Sequence, residues 1–378
     1  MKKTKRSRFS RKNPITSAAP LTFFIESMDA LGQGVDKSNG SITFIPKTLP
    51  EEIGTARVVK KRKGVQFAQL IELDNVADNR IEAECVHFNE CPGCDYLHTD
   101  YQSELAYKKA ALAHALYGLP IEHIEIEVIA AEQRLHYRNR VQLHYRGQSL
   151  GLLDADNDKI IEIPHCQLVE PGLQASIDGL YQNRHWSKEQ KNAGHCEIAT
   201  IAGKVEVIWN KPYAYGGFTQ VNTAMNRQLC EQVKKAVLAT KPQYLLDLFS
   251  GNGNLSNDII SAASIKRAMV DVSECSHPDF IALDLFADDA LKHFQALNPL
   301  RKLDTLLIDP PRKGFPALAQ WVKVLKPQYL VYVSCNAATM ARDIKNIEGY
   351  AHIECIQLLD MFPSSKHFET LLVLKLTA

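Results

Sequence analysis

No stretch of this 378-residue chain approaches the roughly 18 consecutive apolar residues of a membrane-spanning helix, so a helical membrane protein is excluded. The opening residues, MKKTKRSRFSRKNP, lack the apolar core of a secretory leader, and the chain is expected in the cytoplasm. Net charge is also nearly missing: 44 Lys and Arg stand against 43 Asp and Glu, so any nucleic-acid surface must be local. There are no long internal repeats, and low complexity is confined to the N-terminus. In a reducing compartment the nine cysteines are poor material for disulfides, so clustering among them points to metal ligation or catalysis.

What is present divides into four stretches. Residues 1–20 form a basic arm expected to be disordered, with Lys2, Lys3, Lys5, Arg6, Arg8, Arg11 and Lys12 and no acid. Residues 21–75 alternate short apolar runs with turns at Gly32-Gln33-Gly34 and Asn39-Gly40, the pattern of a five-stranded OB-like barrel, a fold often used on oligonucleotides. The run Lys60-Lys61-Arg62-Lys63 falls in one of its turns, where it is either a solvated face or an RNA contact. Residues 76–218 hold a cysteine-rich loop, a helix predicted from Tyr101 to Leu116, and strand-like IEVIAA, RVQLHY, KIIEI and KVEVIW, read together as a β-rich central domain. From 219 to 378 strands, glycine turns and amphipathic helices alternate, which predicts a Rossmann-like, doubly wound, mainly parallel sheet. The fold class is therefore multidomain α/β.

Chemistry concentrates at the ends of these last strands. Asp247-Leu248-Phe249-Ser250-Gly251-Asn252-Gly253-Asn254 closes a strand and opens a helix, where glycines let the backbone approach a ligand. The third glycine of a dinucleotide fingerprint is missing, so the motif alone is weak. Asp271, ending the next strand, can accept bonds from ribose hydroxyls. Asp309-Pro310-Pro311-Arg312 ends another strand, without the aromatic residue that follows this turn in amino-methylating enzymes. YLVYVS then runs into Cys335, at the same sheet edge. A lone cysteine is usually core, but this company makes it a nucleophile candidate. Glu369 in HFET is the candidate general base.

Cys85, Cys91 and Cys94, joined by the distant Cys166, offer four thiolates, enough for tetrahedral zinc or an iron–sulfur cluster, and spacing alone leans to zinc. Either would tie the loop to the central domain.

Taken together, the stretches DALGQGV, FIPKTLPEE, CVHFNECPGC, YRNRVQ, FTQVN, DLFSGNGN, IDPPRKG, VSCNAATMARD and LLDMFPSSKHFE resemble the RNA uracil-5 methyltransferase family, in particular its iron–sulfur branch acting on 23S ribosomal RNA. The resemblance implies a TRAM-type barrel and S-adenosyl-L-methionine as methyl donor. It implies that Cys335 is the nucleophile and Glu369 the base, and that Gln220, Phe249, Asn254, Asp271, Asp284 and Asp309 line the cofactor and target-base site. It also implies that Cys85, Cys91, Cys94 and Cys166 hold a [4Fe-4S] cluster in place of zinc. Structured RNA is the expected partner, ribosomal before transfer RNA, and a monomer the expected state. A catalytically impaired RNA-binding protein and an RNA cytosine-5 methyltransferase are the rivals. The second usually needs two active-site cysteines, and the Asp309 turn carries none. The chain departs from the family in Ser250 for Cys, Asp271 for Glu and Pro92 for Gly. The stretch from Asp271 to Asp284 looks too short for the helix and strand normally found there, and 166–218 looks trimmed.

Overall fold

The computed structural model describes residues 19–376 except 155–156, 216, 218, 274, 298–299, 301 and 348–349. Most of the basic arm therefore lies outside the described residues. The chain forms two compact units, one of Met1–Ala83 with Asp95–Asp100, the other of Glu84–Cys94 with Tyr101–Ala378.

In the first unit β1 (Leu21–Met28), β2 (Gln33–Asp36), β3 (Thr43–Pro46), β4 (Ile53–Arg62) and β5 (Val65–Asn75) close a barrel in the order β1-β2-β3-β5-β4. Period-two alternation puts Phe23, Ile25, Ile45, Ala56, Val58 and Ala68 inside it. The hairpin between β4 and β5 turns on Lys63 and Gly64, both at positive φ, the geometry of a tight two-residue hairpin, and it carries the exposed Lys60–Lys63 run.

The second unit opens with the cysteine loop, then α1 (Tyr101–Ala115) and β6 (Ile126–Ile129). A five-stranded antiparallel sheet follows, built from β7 (Arg140–Arg146), β8 (Ser149–Leu153), β9 (Ile160–Glu162), β10 (Ala193–Ile201) and β11 (Lys204–Trp209) in the order β11-β10-β7-β8-β9. It is backed by α2 (Pro171–Gln182) and the short α3 (Trp186–Glu189), with Tyr145, Trp186 and Trp209 packed ring on ring in its core.

The rest of the unit is α4 (Thr223–Ala239), β12 (Tyr244–Leu248), α5 (Asn257–Ala262), β13 (Lys266–Asp271), β14 (Phe280–Ala282), α6 (Ala290–Leu297), β15 (Thr305–Ile308), α7 (Leu318–Leu325), β16 (Tyr329–Ser334), α8 (Ala337–Lys345), β17 (Tyr350–Leu359) and β18 (Glu369–Leu376). Its sheet runs β14-β13-β12-β15-β16-β18-β17-β6. β12 to β16 are mutually parallel, and β18 is antiparallel to both of its neighbours. Nearly continuous Leu, Ile and Val in β12, β15 and β16 match burial on both faces. Two core clusters lie on the two sides, one around Phe294, Phe315 and Trp321, the other around Leu229, Val233 and Met361.

Two placements differ from the sequence expectation. IEVIAA, read with the central strands, supplies β6, which pairs in parallel with β17 at the far edge of the eight-stranded sheet. The stretch after Asp271 does hold a strand: β14 pairs Met269 with Phe280 and Asp271 with Ala282, although no helix precedes it among the described residues. Residues 272–279 reach about 27 Å when extended, and three paired residues need a return of only about 10 Å. A short crossover without a helix therefore suffices.

Candidate active site

Strand order reverses between β12 and β15, and at this switch point of an open parallel sheet ligands settle beyond the carboxyl ends of the strands. A cavity of about 760 Å³ opens there. All eight residues singled out for catalysis and cofactor contact line it: Gln220, Phe249, Asn254, Asp271, Asp284, Asp309, Cys335 and Glu369. Phe249 follows β12, Asp271 ends β13, Asp284 follows β14, Asp309 follows β15 and Cys335 follows β16. Glu369 arrives at the same edge because β18 is antiparallel and begins where its neighbours end.

The glycine turn is held from several sides. Phe249 sits at φ 61°, a costly conformation for a bulky side chain, with its ring edge-on to Phe315 at 5.0 Å. The Gly251 N–H donates to Asp271 Oδ2 at 3.0 Å, and Ser273 N–H donates to Oδ1 at 2.8 Å. Asn254 exchanges two amide hydrogen bonds with Asn226 of α4, at 3.0 and 2.9 Å, so its side chain fastens the turn to that helix. Gly251 has φ 52°, and a Cβ there would meet nothing within 4 Å, which leaves open room above its backbone. The Ser250 hydroxyl is buried on the cavity wall without a hydrogen-bond partner among the described residues.

At the other end the acids crowd together. Burial, then the charge of Asp247, pushes Asp309 up to about 7. Burial and Asp309 push the buried Glu369 well above the usual carboxylate range, against the pull of Arg312. Burial, then Glu369 and Asp309, lifts the half-buried Cys335 thiol to about 11, while Arg312, hydrogen-bonded to it, works in the opposite direction. Asn336 caps α8 and donates to the Arg312 carbonyl at 3.0 Å, which fixes the Asp-Pro-Pro-Arg turn against the nucleophile's turn.

Arg312, Tyr213 and Phe362 also line the cavity and were not singled out as site residues. The Asp-Pro-Pro-Arg turn pointed to the first. Tyr213 had a weaker signal in the aromatic pair of KPYAY beside Lys211. Phe362 had none beyond lying in LLDMFPSSKHFE.

The four loop cysteines are free thiols, each half-buried, and Cys91 and Cys166 pack on the core of the five-stranded sheet. The Cys94 thiol is driven upward by burial first, and the charges of Cys166, Cys91 and Cys85 add to this while Arg138 opposes it. Among the described residues no group of three or more His, Cys, Asp or Glu side chains is arranged to hold a metal ion. A single zinc with Zn–S near 2.3 Å would need its sulfurs within about 3.8 Å of one another. No helix of the described residues is long and apolar enough to cross a membrane.

Residues 288–377 match the family described as tRNA (uracil-5-)-methyltransferase. Over 445 aligned positions, 95% of this chain and 96% of the relative, the sequence is 27% identical to the 23S rRNA (uracil(1939)-C(5))-methyltransferase RlmD of Shewanella frigidimarina. The RlmD of Shewanella sediminis is 28% identical over 451 positions, covering 98% of this chain and all of the relative. Both alignments are longer than this 378-residue chain, so these relatives carry insertions that it lacks. In fold, the chain is similar to the Pyrococcus abyssi tRNA (uracil-54, C5)-methyltransferase solved with S-adenosyl-L-homocysteine, with TM-score 0.67 and 20% identity over 94% of this chain and all of that one. Motifs, family match and relatives agree in what this chain is similar to: RNA (uracil-5-)-methyltransferases.

Proposed function

We propose that this protein transfers a methyl group from S-adenosyl-L-methionine to carbon 5 of a uridine in structured RNA, 23S ribosomal RNA before transfer RNA, in the cytoplasm. The observation that carries this reading is the meeting of Cys335, Glu369 and the Phe249–Asn254 turn on one cavity. The open room above Gly251, the unpartnered Ser250 hydroxyl and the Asp271 carboxylate fit a nucleoside cofactor. When bound, that cofactor supplies an electrophilic methyl group on a sulfonium sulfur.

Carbon 5 of uracil is a poor nucleophile, and Cys335 overcomes this by adding its sulfur at carbon 6. The electron pair of the 5,6 double bond then becomes an enolate whose carbon 5 takes the methyl group as the sulfur–methyl bond breaks, its electron pair leaving with S-adenosyl-L-homocysteine. Arg312, beside the thiol, favours its ionised form. Once the thiolate is spent in a thioether, its charge no longer opposes ionisation of Glu369. A desolvated carboxylate is a stronger base than an exposed one, and Glu369 takes the proton from carbon 5. The electrons re-form the 5,6 double bond as the carbon–sulfur bond breaks, which regenerates the Cys335 thiolate.

Cys85, Cys91, Cys94 and Cys166 would hold a [4Fe-4S] cluster, which would need a wider frame than one zinc ion. The packing of Cys91 and Cys166 on the core of the five-stranded sheet supports this assignment. The cluster would brace the loop against the five-stranded sheet. The strand found after Asp271, which brings Asp284 to the cavity, speaks against the catalytically impaired alternative.

The test is to incubate the protein with 5-fluorouridine-substituted ribosomal RNA and S-adenosyl-L-methionine. Fluorine cannot leave as a cation, so a methylated, denaturation-resistant adduct should accumulate on Cys335 and be absent in Cys335→Ala. An adduct with transfer RNA only would change the substrate; none with either RNA would overturn the reading.

A further inference from the structure

The segment that delivers the base to the cavity is a turn without helix or strand, residues 360–368, between β17 and β18. Such a turn would ordinarily be the mobile part of a site. Here four consecutive residues have their backbone gripped by side chains from elsewhere in the chain. The Met361 carbonyl accepts from Asn222 Nδ2 at 3.3 Å, the Phe362 carbonyl from Lys108 Nζ at 3.2 Å, and the Pro363 carbonyl from Tyr137 Oη at 3.0 Å. The Ser364 N–H donates to Glu104 Oε1 at 2.6 Å. The residue before them is fixed as well: Asp360 accepts from Lys108 at 2.6 Å and from the Tyr101 hydroxyl at 2.7 Å.

The grip is made of buried charge. Lys108 is 1% exposed, and Glu104 and Asp360 are fully buried. Arg134 completes the group at 2.8 Å from Glu104, so two cations face two carboxylates. Buried ion pairs seldom stabilise a fold more than an apolar replacement of the same volume would, because desolvation offsets their attraction. What they give that packing does not is direction: the Met361, Phe362 and Pro363 carbonyls each meet a side-chain donor from a different part of the chain. The turn so held carries Phe362 on the cavity wall and ends at Glu369, whose carboxyl has to reach the hydrogen on carbon 5.

We propose that Lys108, Glu104, Tyr137 and Asn222 are positioning residues for the proton-removal step, holding the 360–368 turn so that Glu369 meets carbon 5. The proposal rests on the uridine methylation reading above. It separates the two halves of that reaction. Addition of Cys335 and methyl transfer do not need Glu369 in place. Release does, since the C5 proton must pass to its carboxylate as the C6–sulfur bond breaks. Loosening the grip should therefore leave the methylated adduct stranded on Cys335 with ordinary uridine.

The experiment is single-turnover reaction of the full-length protein with unmodified RNA, quenched in denaturant, with free 5-methyluridine RNA and protein-bound RNA measured separately. Tyr137→Phe removes the hydroxyl that donates to Pro363, and with it an acceptor 3.4 Å from Arg138 Nε, and Asn222→Asp keeps the α4 cap while removing the donor to Met361. Both should slow release by about tenfold to a hundredfold, with methyl transfer near the wild-type rate and a bound adduct that the wild type does not accumulate. Wild-type release in both variants, or equal slowing of transfer and release without adduct, would overturn the proposal while the wild-type 5-fluorouridine adduct still upheld the methylation reading. Absence of that wild-type adduct would remove both.

Discussion

Burial holds Asp247 and Asp309 at about 7 each, and the charge of Asp247 adds to the rise at Asp309. Since these values lie above those of an unfolded aspartate, the folded state prefers the protonated forms. The stability this gives is complete below about pH 4 and is lost as pH rises through about 7. Asp309→Asn mimics the proton permanently, so its melting temperature should exceed that of the wild type by a few degrees at pH 8. The gap should close on acidification to pH 4. A gap independent of pH, read in thermal melts, would show that the carboxylate's charge is not the cause. The same substitution should slow methyl transfer if Asp309 contacts the cofactor or base. At this scale the sequence was informative wherever a motif ended a strand, because the strand ends define one edge. It was silent on Asn226, whose partner Asn254 lies across a helix–loop contact, and on Phe362, which only the fold of its turn brings to the cavity.

Among the elements, the cysteine loop carries the proposed cluster. Cys94→Ser should lower bound iron from about four atoms per chain to near none and loosen the loop. Iron assay and hydrogen exchange over 84–94 and 164–169 check this; full iron content in the variant would remove Cys94 from the ligand set. Elements with period-two alternation or a terminal glycine turn, such as β4 and β12, were legible from local pattern, and β16 from its continuous apolar run. β6 was legible as a strand but not in its partner, because β17 lies more than two hundred residues away and no local signal encodes that pairing. β14 was missed because the reading assumed a helical crossover, whereas three paired residues can be reached without one.

For the whole second unit, the decisive fact is that its large sheet is not continuous in sequence. α1 and the residues after it put Leu112, Leu116, Leu119 and Ile126 into the same core as Leu246, Trp321 and Leu358. A fragment of residues 219–378 would leave that core open and the β17 edge bare. It should be insoluble or lack fixed near-ultraviolet circular dichroism, and co-expression with residues 84–218 should restore both properties. A soluble, cooperatively melting 219–378 fragment would show that the early segment is dispensable.

The pairing of β6 with β17 also sets a timetable. On the ribosome, the strand made at Ile126–Ile129 must remain available until residues 356–359 appear, 230 residues later. The closing contact is among the longest-range that the chain makes, and such contacts form slowly. Any truncated product that stops before residue 356 lacks the partner for this strand, so incomplete synthesis is marked by an unsealed sheet edge that chaperones and proteases can recognise.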